Sequence, residues 1–144
     1  MQNFLYQILE HSGDLRILAQ GENYVEALAH ASLGLLSQIV PRETVEEVSE
    51  LPIKVTGETD QERALAFLNE LLYLAYARRW IPKRVKHLTQ CSRKNCLELE
   101  GTLVGEPVDP RRHEFRYDVK AVTYHDFKLE QIPGRTTIEF VCDL

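Results

Sequence analysis

At 144 residues, 44% of them hydrophobic, the chain has the usual size of one domain, and a globule of this length buries roughly 68–70% of its unfolded surface. A formal charge of −5 disfavours autonomous RNA binding, which draws on basic patches that neutralise phosphates. No run approaches the roughly 18 apolar residues of a membrane helix, and the first fifteen residues lack the basic start and cleavage site of a secretion signal, so a cytoplasmic protein is expected.

Residues 4–9 and 15–20 are short apolar-rich runs parted by His11-Ser12-Gly13-Asp14, which predicts strand, turn and strand. Asn23 with Glu26 three positions on forms a capping box, and Val25, Leu28, Ala29, Ser32, Leu35, Leu36 and Ile39 keep helical spacing as far as Pro41. Val45–Thr56 is β-rich, and Pro52 assigns it to an edge or a bulge because proline cannot donate to a ladder. Asp60 is placed to cap a second helix, whose stripe Ala64, Leu65, Leu68, Leu71, Leu72 and Ala75 is widened by Phe67, Tyr73 and Leu74, so burial on more than one side is expected. After Pro82 the pattern turns to hairpins, with strands predicted over 84–91, 95–105, 116–129 and 135–143. Two principal helices in a mainly antiparallel set of strands give an α+β class, in one domain over 1–144.

Four stretches together resemble the archease family. They are His11-Ser12-Gly13-Asp14-Leu15; Phe67-Leu68-Asn69-Glu70-Leu71-Leu72-Tyr73; Gly105-Glu106-Pro107 with Asp109 and His113; and Lys120-Ala121-Val122-Thr123-Tyr124-His125. The acidic end Asp143-Leu144 completes the pattern. One departure is the Ser12-Gly13 pair, where archeases more often carry Thr-Ala before the aspartate. The resemblance implies a non-enzymatic accessory factor for RNA ligases of the RtcB type, which promotes their guanylylation and multiple turnover in tRNA splicing or RNA repair. It also implies a metal site built from Asp14, Asp143 and, with the chain ending at Leu144, the terminal carboxylate. RNA contact is then indirect or transient.

Oxygen donors of this kind suit a hard divalent cation, calcium foremost, with magnesium and manganese as alternatives. Residue by residue the bland alternatives stay open: Asp14 is also a good Asx-turn residue, and Asp143 a fraying tail. Lys120 reads as a snorkelling surface lysine, or, by the resemblance, as a functional group for a phosphate or a ligase carboxylate. Alternation groups Lys120 with Val122 and Tyr124, and His125 with Ala121 and Thr123. His125 is either a structural histidine or a second functional candidate. His113 belongs either to a solvated loop or to an ordered one around Glu106.

Arg78, Arg79, Lys83, Arg84 and Lys86, with Trp80 and His87 among them, form the one basic stretch; it reads either as a solvated helix end or as a contact for phosphate or an acidic partner. The three cysteines are expected to be reduced, and Cys91, Cys96 and His87 lack the paired spacing of a structural zinc site. Neither GxxxxGK[ST] nor GxGxxG occurs, which argues against an independent nucleotidyl transferase. Two other classes remain as alternatives: a metal-dependent phosphoester hydrolase with His125 as base, and a chaperone-like module that binds clients through 78–87.

Overall fold

The computed structural model describes residues 5–11, 14–91, 95 and 97–144, with Glu10 and His11 described through their backbone alone. Ser12 and Gly13, whose departure from the family pattern is noted above, lie outside them. The elements run β1 (Tyr6–His11), β2 (Asp14–Gly21), α1 (Tyr24–Ile39), a 3₁₀ turn (Arg42–Thr44), β3 (Ser49–Thr56), α2 (Asp60–Tyr76), β4 (Trp80–Gln90), β5 (Glu98–Pro107), β6 (Ala121–Ile132) and β7 (Arg135–Asp143).

Both helices start on the same chemistry. In α1 the Asn23 carboxamide oxygen accepts from Glu26 N at 2.9 Å, and the Glu26 carboxylate takes Glu22 N at 3.0 Å. In α2 the cap is Thr59, not Asp60: Thr59 Oγ1 accepts from Glu62 N at 3.0 Å, and Glu62 takes Glu58 N at 2.8 Å. Asp60 is thereby freed for long-range work, accepting from Arg63, Gln90 and Gln131.

The strands form two antiparallel sheets, β1-β2-β7-β6 and β3-β5-β4. Each helix touches both: α1 lies on β1, β2 and β7 and also on β4, while α2 lies on β6 and on the three-stranded sheet. This is why Phe67 and Leu74 widen the α2 stripe, whereas Tyr73, expected to do the same, is 51% exposed. Phe67, Leu68, Leu71 and Ala75 are fully buried, and Leu72 and Leu74 nearly so, in a core shared with Ala27, Leu28, Leu35 and Ile39 of α1 and Ile17, Ile138 and Phe140 of the larger sheet. Each such leucine, isoleucine or phenylalanine contributes about 1.5–3 kcal/mol by leaving water. Gly34 lets α1 settle on β1 and β2, since a Cβ there would stand 3.0 Å from Ile17 Cγ2. Pro52 does sit in an edge strand, β3.

Several strand limits differ from the sequence reading, the starts of β4 and β6 among them. The strand predicted to start at 84 starts at Trp80, because Pro82 lies on an edge strand and is accommodated by a register shift between Pro82 and Arg84. The strand predicted to start at 116 starts at Ala121, the preceding segment being tied to the helices instead: Arg116 N and Tyr117 N donate to Ile39 O and Gln38 O.

Candidate metal centre

In the larger sheet β7 is flanked by β2 and β6. Leu15 pairs with Cys142, so the start of β2 and the end of β7 reach the same end of the sheet, with Asp14 and Asp143 as the next residues. Leu15 and Cys142 are buried on the core side, and alternation turns Asp14 and Asp143 to the opposite, exposed face. The two carboxylates foreseen as ligands thus end neighbouring strands on one face, and Leu144, 40% exposed, follows directly. Cations on that face are engaged elsewhere: Arg16 binds Glu139 at 2.9 Å and Asp126 at 3.1 Å, and Lys128 approaches Glu139 at 3.7 Å.

The chemistry of these donors fits a hard cation. Among the described residues no three His, Cys, Asp or Glu side chains close a cage, so a calcium or magnesium ion held by these two carboxylates would need further oxygen donors. The neighbouring thiol does not compete, because Cys142 is fully buried on the core side, opposite the two carboxylates.

Lys120 joins this end of the sheet through its backbone. Its N–H donates to Asp143 O at 2.8 Å, while Ala121 pairs with Asp143 in register. Lys120 thus stands just before β6, tied to the end of β7 by its backbone N–H. Lys120 is exposed and Val122 buried. The predicted grouping of Lys120, Val122 and Tyr124 on one face fails beyond Thr123, where the register slips until Lys128. In that slip Tyr124 is 58% exposed, Asp126 takes a positive φ of 57°, and Phe127 turns inward. His125 is exposed too, with Nε2 3.4 Å from Asp126. Asp126 reaches across β7 to Arg16 of β2, and that guanidinium, aided by His125, holds the Asp126 carboxyl below its usual range. The structure therefore brings Asp14, Asp143, Leu144 and Lys120 to one end of the sheet and puts His125 on a separate protrusion.

The third family-like stretch forms a buried knot. Glu106, 3% exposed, accepts from Arg112 at 3.0 and 2.5 Å, from Glu46 N at 2.6 Å and from His113 Nε2 at 3.0 Å. Asp109 N donates to His113 Nδ1 at 2.9 Å, which fixes the Nε2–H tautomer. Arg112 above all, with Glu46 N and His113 assisting, lowers the Glu106 carboxyl to about 2. The reading of 109–114 as an ordered loop around Glu106 is the one that holds, and the knot also gathers the 44–46 segment. Its neighbour Gly105 lets β5 approach β4, because a Cβ there would lie 2.2 Å from Ile81 O.

The basic stretch divides in two: Arg78 and Arg79 follow the end of α2, as the helix-end reading has it, whereas Lys83, Arg84 and Lys86 lie in β4. These three engage the 45–50 segment: Lys83 donates to Val45 O at 2.7 Å, Arg84 binds Glu47 at 2.8 Å and Lys86 pairs with Glu50. Arg79 stacks on Phe115 at 5.2 Å. The expectation of three reduced thiols is also corrected. Cys91 is disulfide-bonded and so cannot serve zinc, Cys142 is a free buried thiol, and Cys96 lies outside the described residues.

Two contributors escaped the sequence reading. Asn69 donates through Nδ2 to Val122 O and accepts at Oδ1 from Val122 N, both at 2.9 Å. Tyr76 donates to Tyr117 O at 2.8 Å and accepts from Val119 N at 3.1 Å. The signal for Asn69 was available: a polar amide inside an otherwise apolar helix stripe calls for a partner.

Residues 6–144 match the archease protein family (MTH1598/TM1083). The archease of Pyrococcus furiosus is 35% identical over 136 residues, covering 94% of this chain and 95% of its own. The archease of Sulfurisphaera tokodaii is 32% identical over the whole of both chains. The solution structure of Methanobacterium thermoautotrophicum protein 1598 shares the fold with a TM-score of 0.82 at 24% identity, covering 97% of this chain and 99% of its own. A Thermotoga maritima crystal structure described as an archease and possible chaperone gives 0.64 at 23% identity, over 99% and 100%. A match along nearly the whole length, together with the fold and the four stretches in order, makes this chain a member of the archease family.

Proposed function

We propose that this chain is a metal-binding accessory factor that activates an RNA-splicing ligase of the RtcB type in the cytoplasm, promoting its guanylylation and multiple turnover in tRNA splicing or RNA repair, without being a ligase itself. The observation that carries the reading is the meeting of Asp14 and Asp143 on one exposed face at one end of the larger sheet, with the Lys120 backbone bonded to Asp143. Asp14, Asp143 and the terminal carboxylate of Leu144 would hold the cation, calcium foremost. A divalent ion there supplies positive charge for phosphate oxygens. The chain's own part is to commit Arg16 and Lys128 to Glu139 and Asp126, so that these two cations do not compete for the carboxylates, and to tether Lys120 by its backbone at the same end of the sheet.

The hydrolase alternative needs His125 as a base near the metal, and its place on the Tyr124–Asp126 protrusion, paired with Asp126, speaks against it. A client-binding role through 78–87 would have to draw on Lys83, Arg84 and Lys86 while they are engaged by Val45 O, Glu47 and Glu50, which speaks against it. The Thermotoga maritima relative's description as a possible chaperone keeps protein binding in view, and docking on a ligase is one form of it.

The test is RNA ligation with limiting ligase and added guanosine nucleotide. The chain should raise the number of turnovers, and Asp14→Ala and Asp143→Ala should abolish the gain. No gain from the parent chain, or full gain from both variants, would refute the proposal.

A further inference from the structure

We infer that Asn69 is a positioning residue for the metal end of the sheet, holding the Lys120–Val122 segment of β6 against Asp143 from the helix side. β6 is an edge strand, and Val122 turns both its backbone groups away from β7 toward α2. Only a side chain with a donor and an acceptor on one planar group satisfies both, and the Asn69 carboxamide does so while its Nδ2 also donates to Leu65 O at 3.1 Å. Asn69 therefore stands in for an absent neighbouring strand. Two turns further along α2, Tyr76 grips Tyr117 O and Val119 N. Lys120 and Ala121 lie between the two grips, and both face Asp143.

The consequence is a mechanical link. Lys120 lies just beyond the start of the β6 ladder, so its bond to Asp143 depends on what holds this segment from outside. With Asn69 removed, the Val122 amide and carbonyl lose partners in a half-buried place, and the segment gains freedom to leave β7. Asp143 then loses one flank, and Lys120 its fixed distance from the carboxylates.

The metal half of this inference rests on the proposed function above; the backbone half does not. Asn69→Leu, Asn69→Asp and Asp14→Asn should be compared with the parent chain, each below its own unfolding midpoint, by hydrogen exchange of backbone amides and by calcium titration calorimetry. Asn69→Leu should speed exchange at Lys120 and Val122 by about tenfold or more, while Leu103 in β5 keeps its rate, and should weaken calcium binding by about tenfold. Asn69→Asp keeps an acceptor for Val122 N but faces Val122 O with a carboxylate, so it should release Lys120 as well and serves if the leucine variant does not fold. Asp14→Asn should lose calcium with Lys120 exchange unchanged. Parent-like exchange at Lys120 in either Asn69 variant would overturn the inference, and so would faster exchange with unaltered calcium affinity, which reduces Asn69 to maintaining the fold. If the parent chain binds no calcium, the metal reading falls on its own and Lys120 exchange decides the role of Asn69.

Discussion

Two acidic sites of this chain belong to the same family-like pattern and are built in opposite ways. Glu106 is buried, and its oxygens are filled by Arg112, Glu46 N and His113. Asp14 and Asp143 stand exposed at strand ends, beside cations already committed to Glu139 and Asp126. A carboxylate whose lone pairs are all used inside the protein holds the fold; one left facing water has them to give to a ligand. Recurrence in a motif does not distinguish the two. Burial and partner count do.

The sharpest way to break this contrast is Glu106→Ala, which leaves Arg112, His113 and Glu46 N without their acceptor. It should lower unfolding free energy in urea by about 2–3 kcal/mol, since stranded polar partners cost about 1–3 kcal/mol each and Arg112 recovers some water. Acid should act through the same group. The Glu106 carboxyl titrates near 4.5 when unfolded and near 2 when folded, so the unfolded chain takes up the proton first and acid favours unfolding. Its contribution should be complete above about pH 5 and lost on falling toward about pH 2. Thermal midpoints over that window should drop less steeply in Glu106→Gln than in the parent.

Asp14→Asn should show the reverse profile. Calcium affinity should fall by more than about tenfold, and metal-free stability should stay within about 0.5 kcal/mol, the usual span of exposed substitutions. Loss of stability as large as that of Glu106→Ala would erase the distinction between the sites. Smallest of all, Lys54→Ala removes a solvent-exposed 3.4 Å pair with Glu98 and should leave both the urea midpoint and calcium binding unchanged.

What the chain reveals before it is folded follows from how far each signal reaches. The helices were legible because 3.6-residue periodicity and capping are local, and even the error at α2, Asp60 taken for Thr59, is a choice between adjacent capping residues. The hairpins were legible by turns, but the division of strands between two sheets was not, since it depends on contacts such as Arg16 with Glu139, 123 residues apart. The segment 116–120 carries strand-like residues yet is drawn to α1 and α2 by Ile39 O, Gln38 O and Tyr76. Lys83, Arg84 and Lys86 form a basic patch in the sequence and a set of paired side chains in the fold, because residues 45–50 lie beside them. At the end of the sheet that holds Asp14 and Asp143 the residue types came from the family pattern, and the pairing of Leu15 with Cys142 supplies the proximity that spacing could not.

The position of β7 also governs when this molecule can form during synthesis. It follows the other described strands in chain order, yet it lies inside the larger sheet, between β2 and β6. Until it emerges from the ribosome, β2 and β6 have no common neighbour, and α1 covers an incomplete floor. The nascent chain therefore carries open strand edges through most of translation, and long-range pairing of this kind is slow and exposed to aggregation. Asp14 and Asp143 therefore come to one end of the sheet only once β7 has been inserted, so a ligand held between them reports on an assembled sheet.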